Sequence, residues 1–423
     1  MKGKHSKTSR LPRWPLALAL VALIGAAALL WTLRSSEEAK PASAPVPPDE
    51  IDASEPEIPP EPEPDPIPEP EPEPEPAPLE ALLSGMTLRE KICQLFIVFP
   101  QAITNGACVT EAGAEMEKGL ADFPVGGLLL NRNNLASQEQ VRAMLDEAQG
   151  YSTIPLLATC DEEGGRVNRL MKTVGTTWVG PMLDYKDQGP ETAEANARTI
   201  ASDLVSCGFN MDFAPVADVW SNPENTVIGD RAYSDDFQQA AELVAAAVEG
   251  FHEGGTACTL KHFPGHGDTS ADSHYGSVYV HKTLDELRQA ELLPFQAGID
   301  AGADAVMIGH LIVDQLDSQP ALFSYTVVTE LLRGELEFNG VVVTDSLEMQ
   351  AMTDHYGSGE IAVSAVQAGV DILLCPTDLE ESIAALTQAV TDGRITEQRL
   401  NESVLRILRL KQNHGLLANL ISG

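Results

Sequence analysis

Eight short apolar runs alternate with amphipathic helical patterns along most of this 423-residue chain, and this alternation constrains the fold more than any other feature. The runs are nearly continuous in Val, Ile and Leu, which is typical of parallel strands covered on both faces. Eight such units predict an α/β fold of the TIM-type (β/α)8 barrel, with a doubly wound open sheet as the alternative. The runs cover residues 95–99, 126–130, 155–160, 210–214, 256–260, 305–308, 341–344 and 371–374.

Helical periodicity fills the intervals between these runs and the segment after the last one. The sequence predicts that residues 79–423 form one catalytic barrel, because the alternation starts near residue 79 and continues almost to the end. The predicted helices cover residues 139–148, 190–207, 237–252, 284–302 and 360–368, and two more, 379–391 and 397–412, would complete the outer shell.

The first 34 residues have the pattern of a membrane anchor. Five basic residues lie between positions 2 and 13, and residues 14–33 form a 20-residue stretch without charge that Arg34 closes. Such a stretch is long enough to span a bilayer as a helix, and the basic flank is expected to stay in the cytoplasm. The prediction is a single-pass membrane protein with an extracellular catalytic domain. The alternative is a cleaved signal peptide and a secreted protein.

Residues 35–78 are dominated by alternating Pro and Glu and contain fourteen acidic residues against Lys40. This composition predicts a disordered, extended spacer, because proline favours polyproline II and like charges repel. The formal net charge of −36 argues against nucleic acid as a partner, since phosphates select Lys and Arg. The six cysteines show no close pairs, and mostly free thiols are expected.

Polar and charged residues follow five successive predicted strands. In a barrel of this kind, side chains at the carboxyl ends of the strands converge on one mouth, so a site is predicted there. A single aspartate after one strand could instead be a helix N-cap. The residues concerned are Asp161 to Arg166, Asp218 with the later Asp230-Arg231, KHFPGHGDTSADSH at 261–274, Gly309-His310 and Asp345 to Met349.

The stretch 261–274 is the densest of these groups. Asp272 and His274 stand two residues apart, so in an extended segment both side chains leave on the same face. A carboxylate beside an imidazole suits general acid/base work. Two other interpretations are open: the histidines make only local hydrogen bonds, or a metal ion is bound. The metal ligands would be His262, His266, Asp268, Asp272 and His274.

An aspartate and a separate acid/base are the minimum set for retaining glycoside hydrolysis. In this interpretation Asp345 attacks the anomeric carbon, while His274 protonates the leaving oxygen and then activates water. The sugar hydroxyls need charge-assisted partners, which the sequence offers as Asp161, Arg231, Lys261 and His262.

Three motifs together resemble the β-N-acetylglucosaminidases of glycoside hydrolase family 3. They are KHFPGHGDTSADSH, DEEGGRVNRL at 161–170 and VVVTDSLEM at 341–349, and the similarity covers about residues 80–415. The resemblance implies a TIM-type barrel with Asp345 as nucleophile and His274 as acid/base, oriented by Asp272. It also implies sugar contacts from Asp161, Arg231, Lys261 and His262, no metal and no cofactor.

The chain departs from the usual family pattern at several positions. Glu162 stands where the family usually has Gln, and Ala232-Tyr233 stands where Ser-Phe is common after Arg231. Ser277-Val278 occupies the region of a common Leu-Pro pair. Many relatives carry a second C-terminal domain, whereas this sequence ends soon after the last barrel helix, as in single-domain members.

The export signal and the resemblance together predict glycans or muropeptides that contain N-acetylglucosamine as substrates, and a monomeric catalytic domain. Phosphorolysis on the same scaffold is an alternative, because a neutral imidazole does not repel an incoming phosphate. A wall-binding module without turnover and a metal-dependent barrel hydrolase are two further alternatives.

Overall fold

The computed structural model of this chain describes residues 78–269 and 278–421. The predicted anchor and nearly all of the predicted spacer lie outside these residues, as do Asp272 and His274. In the described part, every helix is too short or too polar to cross a membrane.

Each of the eight apolar runs overlaps a strand, although in the run 256–260 only the last two residues do so. Two further strands, Val278–Val280 and Leu311–Val313, were not predicted; they pair in parallel with each other, with Val278 opposite Leu311. In chain order the strands are β1 Phe96–Val98, β2 Gly127–Leu129, β3 Leu157–Cys160, β4 Met211–Asp212, β5 Thr259–Phe263, β6 Val278–Val280, β7 Ala305–Ile308, β8 Leu311–Val313, β9 Val341–Thr344 and β10 Leu373–Leu374.

The eight predicted strands form a closed parallel ring. Five of them pair in the order β10-β1-β2-β3-β4, and three pair in the order β5-β7-β9. Parallel bridges between Met211 and Ala257 and between Val343 and Ile372 join the two sheets at both seams. The prediction of a barrel is therefore confirmed, and the carboxyl ends of all eight strands meet at one face.

Helices surround this ring, and six of the seven predicted helices begin and end close to their predicted bounds. The longer ones are Ala114–Asp122, Gln138–Tyr151, Pro190–Ser206, Phe237–Gly254, Leu292–Asp300, Ser358–Ala368, Leu379–Thr391 and Glu397–Asn413. The shorter ones are Pro78–Gly85, Leu88–Cys93, Leu170–Thr173, Leu284–Gln289, Gln350–Thr353 and Ala418–Ile421, with a π-helix at Thr326–Glu335.

The helix ends follow from local side-chain chemistry. Asp236 accepts a hydrogen bond from the Gln239 amide at 2.8 Å and caps Phe237–Gly254, which ends where Gly255 adopts a left-handed conformation. Asp378 caps Leu379–Thr391 in the same way, through the Glu381 amide at 2.8 Å.

The prediction of one helix over residues 284–302 is wrong, because the structure breaks it into Leu284–Gln289 and Leu292–Asp300. Pro294 has no amide hydrogen, and its ring would clash with the carbonyl of Ala290 in a continuous helix. Ala290 accordingly leaves the helical region, with φ −138° and ψ −96°.

The barrel interior and the space between strands and helices form one apolar core. Phe96, Phe213 and Phe263 are fully buried in it. All six cysteines are free, as expected, and all except Cys108 are buried.

Candidate active site

A cavity of about 560 Å³ opens at the carboxyl ends of the strands. Its polar walls come from segments far apart in sequence: Asp161 follows β3, Lys261 and His262 lie in β5, and Asp345 follows β9. Arg231 reaches it from the loop after β4. The five sugar-contact and nucleophile candidates that the structure describes therefore share one cavity.

Acidic and basic side chains alternate along one wall of this cavity. The Lys261 ammonium lies 3.1 Å from an Asp161 oxygen and 2.6 Å from a Glu163 oxygen. Arg231 donates two parallel hydrogen bonds to Glu163, at 2.7 and 2.8 Å, and Arg169 donates to Asp161 at 3.1 Å. Such a network holds each charged group in one orientation before any ligand arrives.

The ionisation states within this wall are fixed by the pairing. Burial alone would raise the pKa of Glu163, but the charges of Arg231 and Lys261 lower it well below its usual range. Burial likewise opposes the charge of Lys261, yet Glu163 and Asp161 raise its pKa above the ordinary value. The wall therefore presents fixed charges to the cavity at neutral pH.

His262 is oriented by a buried carboxylate. Its Nδ1 lies 2.6 Å from Asp218 Oδ2, and Asp218 also accepts the backbone amides of His262 at 3.0 Å and of His266 at 2.6 Å. Burial would raise the pKa of Asp218, but the neighbouring His262 lowers it. An ionised Asp218 keeps the proton of His262 on Nδ1, which directs Nε2 towards other partners.

The glycine after His266 permits this close approach. A Cβ at Gly267 would lie 1.7 Å from the carbonyl oxygen of Val219, so a larger residue cannot be accommodated there. The segment from His262 to Gly267 therefore packs directly against the loop that carries Asp218.

Asp345 is placed by the backbone at the end of β9. Its amide donates to the Ile308 carbonyl at 3.0 Å, and its carboxylate accepts the Ser346 amide at 2.7 Å. Burial would raise its pKa, but the nearby His262 and His310 lower it below the ordinary value. Asp345 is thus an anion at neutral pH, held in place and partly exposed to the cavity.

The described candidates for a metal site in the stretch 261–274 are His262, His266 and Asp268. His266 Nδ1 lies 2.8 Å from Thr269 Oγ1, and Asp268 lies 3.0 Å from the Lys282 ammonium. His262 is engaged by Asp218. These three side chains face different partners and do not form a ligand group.

Two of the departures from the family pattern lie behind the cavity. Glu162 is 2% exposed and accepts the amides of Leu170 at 2.9 Å and Met171 at 3.2 Å, so it caps the short helix Leu170–Thr173. Ala232 and Tyr233 are both buried in packing interactions. Neither departure changes the cavity wall.

Sequence reasoning did not assign roles to Glu163 and Asp218. Asp161 and Glu163 stand two residues apart on an extended segment, which places both carboxylates on one face and Glu162 on the other. That signal was present in the sequence. The partnership of Asp218 with His262 depends on the contact between two loops, and no local pattern predicts it.

Fold and cavity together define a TIM-barrel enzyme with a charged pocket for a polar ligand. The model of the glycosyl hydrolase family 3 N-terminal domain matches residues 87–410. The chain therefore belongs to glycoside hydrolase family 3.

Individual relatives agree with this assignment. A β-hexosaminidase of Idiomarina loihiensis is 35% identical over 72% of this chain and 94% of its own length. β-Hexosaminidase A of Pseudoalteromonas piscicida is 33% identical over 72% of this chain, which spans only 56% of that relative. The solved structure of a family 3 β-N-acetylglucosaminidase from a Paenibacillus strain superposes with a TM-score of 0.74 at 40% identity, over 78% of this chain and 63% of that one.

Proposed function

We propose that the protein is a retaining exo-β-N-acetylglucosaminidase that removes N-acetylglucosamine from β-glycosides. The observation that carries this proposal is the position of Asp345, an oriented carboxylate that shares a cavity with the charged wall of Asp161, Glu163, Lys261 and Arg231. The three relatives described above are a β-hexosaminidase, β-hexosaminidase A and a β-N-acetylglucosaminidase by name, and these names supply the sugar class.

Asp345 is proposed as the nucleophile. Its lowered pKa keeps it ionised, so its oxygen can attack the anomeric carbon and form a glycosyl-aspartate intermediate as the bond to the leaving oxygen breaks. Water then attacks the same carbon and releases the sugar with its original anomeric configuration. The neighbouring side chains of His262 and Lys261 stabilise the negative charge of the Asp345 carboxylate before it attacks.

The charged wall is proposed to bind the sugar hydroxyls. Lys261 and Arg231 can donate hydrogen bonds, while Asp161 can accept them, and a site built around such buried groups rejects ligands that leave them unpaired. His262 would contribute Nε2, because Asp218 holds Nδ1. A sugar in this position would have its anomeric carbon turned towards Asp345.

His274 is proposed as the acid/base that protonates the leaving oxygen and then takes a proton from water, with Asp272 fixing its orientation. This role rests on the sequence motif alone. Its support in the described part is that His262 and His266, which precede it in the same motif, both line the cavity.

The test is turnover of an aryl N-acetyl-β-glucosaminide beside the matching β-glucoside, with and without a chelator. We expect the N-acetyl sugar to be cleaved far faster, with no effect of the chelator, and free N-acetylglucosamine as product in phosphate buffer. Formation of the sugar 1-phosphate would mean phosphorolysis, which the reported relatives disfavour. No turnover of either glycoside would sink the proposal.

We also propose that residues 1–34 anchor the chain in the cell membrane and that residues 35–78 hold the catalytic barrel on the outer side, near glycans or muropeptides. The support is the uncharged stretch at 14–33 with its basic flank. Protease added to intact cells should digest the spacer and release the barrel. Protection of the spacer until the cells are lysed would contradict this location.

A further inference from the structure

The amino-terminal end of the barrel carries a group of metal-ligand side chains that the proposed sugar chemistry does not use. His252 lies in the last turn of Phe237–Gly254, and His414 caps the end of Glu397–Asn413. Cys258 immediately precedes β5, and Asp304 immediately precedes β7. We call these four residues the basal cluster.

The ligand atoms of the basal cluster converge on the Asp304 carboxylate. His252 Nε2 lies 2.8 Å from Asp304 Oδ2, and His414 Nε2 lies 2.8 Å from Asp304 Oδ1. The Cys258 sulfur lies 3.9 Å from His252 Nε2. Among the described residues, His252, Cys258 and Asp304 form the one group of three such side chains whose ligand atoms lie within 4.8 Å of one another.

We propose that the basal cluster binds one zinc ion, or a divalent transition-metal ion of similar preference. Two imidazole nitrogens, a carboxylate oxygen and a thiolate form a four-ligand set of the kind zinc takes. In a tetrahedral zinc site such ligand atoms lie about 3.3–3.6 Å apart, given bonds of about 2.0–2.3 Å. The His252–Asp304 and His252–Cys258 separations of 2.8 and 3.9 Å bracket this range. His414 lies outside the group whose ligand atoms are within 4.8 Å of one another, so its side chain must move further than the other three to become the fourth ligand.

Binding of the metal ion by the basal cluster needs no co-reactant to supply or accept protons other than solvent. Each imidazole that now faces Asp304 through Nε2 moves its proton to Nδ1, which leaves the Nε2 lone pair for the metal. The Cys258 thiol releases one proton to solvent and binds as thiolate. The Cys258 amide, which donates to Asp304 Oδ2 at 3.0 Å, keeps the carboxylate oriented.

The alternative is a hydrogen-bond network that only fastens two helix ends to the barrel. That network uses the carboxylate and the two imidazoles, but it does not need the buried sulfur of Cys258. A metal ion would bind the Cys258 sulfur as well. The thiolate therefore discriminates between the two interpretations.

Solvent has access to the proposed site. The side chains of His252 and His414 are 33% and 16% exposed, and a cavity of about 230 Å³ lies beside Asp304. The five residue steps from Asp304 to Gly309 span roughly 16 Å of extended chain, which separates the basal cluster from the active-site end. A metal there would fasten the last long helix to the barrel without entering catalysis.

The experiment is a titration of the full chain, freed of metal, with Co²⁺, which reports a thiolate ligand by charge-transfer absorption. We expect one ion per chain and a thiolate band, with Zn²⁺ displacing the Co²⁺. Cys258→Ser should lose the band, and both Cys258→Ser and His414→Gln should bind at least about 10- to 100-fold more weakly. Zn²⁺ should raise the Tm of the wild type by mass action.

Two control variants make the same kinds of substitution at exposed positions outside the basal cluster. Cys108→Ser removes the exposed thiol, and His281→Gln removes an exposed histidine that pairs with Asp314 at 2.7 Å. Both should bind Co²⁺ as the wild type does. If His414→Gln fails to fold, Cys258→Ser alone decides the question.

The proposal is overturned if the wild type binds no stoichiometric ion, if the band survives in Cys258→Ser, or if Cys108→Ser removes it. Cleavage of an N-acetyl-β-glucosaminide should be unchanged in Cys258→Ser. Because metal binding is read by absorption, its outcome is independent of whether the proposed glycosidase activity is found.

Discussion

The two ends of the barrel contain similar chemistry in different surroundings. At the amino-terminal end, Asp371 has no exposed surface and is surrounded by the guanidinium groups of Arg333, Arg399 and Arg406. Ser403 also donates to it, at 2.6 Å. This carboxylate fastens the last long helix and the π-helix to β10, and its partners come from the protein itself.

At the carboxyl end, the acidic and basic groups are also paired, but they face a cavity of about 560 Å³. Lys261 is as well paired as the arginines around Asp371, with Asp161 at 3.1 Å and Glu163 at 2.6 Å. The side chain of Asp161 nevertheless keeps 25% of its surface exposed. A structural ion cluster and a binding wall thus have similar composition, and the exposure of a carboxylate to the cavity distinguishes them.

The largest effect is expected from Asp345→Ala. Loss of the nucleophile should lower kcat by at least about 10⁴-fold, with little change in Tm, because the carboxylate faces the cavity and its removal leaves the backbone contacts in place. Steady-state kinetics on an aryl N-acetyl-β-glucosaminide measures the effect.

Glu348 supplies the matched control for Asp345, because it lines the same cavity and its side chain is exposed. Glu348→Gln should change kcat by less than about 10-fold. An equal loss of kcat in both variants would contradict the assignment of Asp345, rather than Glu348, as the nucleophile.

His274→Ala should show an effect that depends on the leaving group. Substrates with poor leaving groups need protonation and should lose about 10³-fold in kcat/KM, whereas activated aryl glycosides should lose about 10-fold. A series of aryl and alkyl glycosides measures the difference. Equal losses across the series would remove His274 from the role of acid.

At the other end of the barrel, Asp371→Asn should reduce stability rather than activity. Removing the charge leaves three guanidinium groups uncompensated and should cost about 3 kcal/mol in the free energy of unfolding, measured with urea. The remaining folded enzyme should keep its kcat/KM.

Asp392→Asn is the surface counterpart, since Asp392 pairs with Arg394 at 3.0 Å in an exposed position. It should leave the unfolding midpoint nearly unchanged. If Asp371→Asn instead lowered kcat/KM with stability intact, the division between a structural end and a functional end would be wrong.

The smallest effect is a shift in pH dependence. Burial alone would raise the pKa of Asp345, but neighbouring charges lower it. His262 makes the largest contribution among them, so His262→Gln should raise that pKa. Because Asp345 must be ionised, activity is present above its pKa and lost as the pH falls through it. The acid limb of kcat/KM should therefore move to higher pH. His281→Gln should leave it in place.

Much of the fold followed from the sequence because each barrel strand is a local apolar run. The eight runs were found within a few residues of their observed bounds, since burial on both faces leaves a continuous signal. The break at Ala290 was missed because an amphipathic pattern continues across Pro294. The pairing of β6 with β8 was missed because these strands lie outside the barrel repeat.

The sequence predicted which residues line the cavity, but it did not predict the contacts between them. Asp161, Arg231, Lys261, His262 and Asp345 line one cavity, as strand-end chemistry and the family resemblance suggested. The ion pair between Lys261 and Glu163 joins residues that lie 98 positions apart in the sequence, and no rule on local spacing predicts such a pair. The roles of these five cavity residues, like those of Asp272 and His274, stay predictions.

The most direct test of the account is to trap the intermediate. A slow fluorinated substrate, such as a 5-fluoro N-acetyl-β-glucosaminyl fluoride, should inactivate the enzyme and leave one sugar on the peptide that contains Asp345, as read by mass spectrometry. Asp345→Ala should not be labelled. A label on Glu348 or Asp161, or turnover that releases the inverted anomer, would contradict the assignment of Asp345 as the nucleophile.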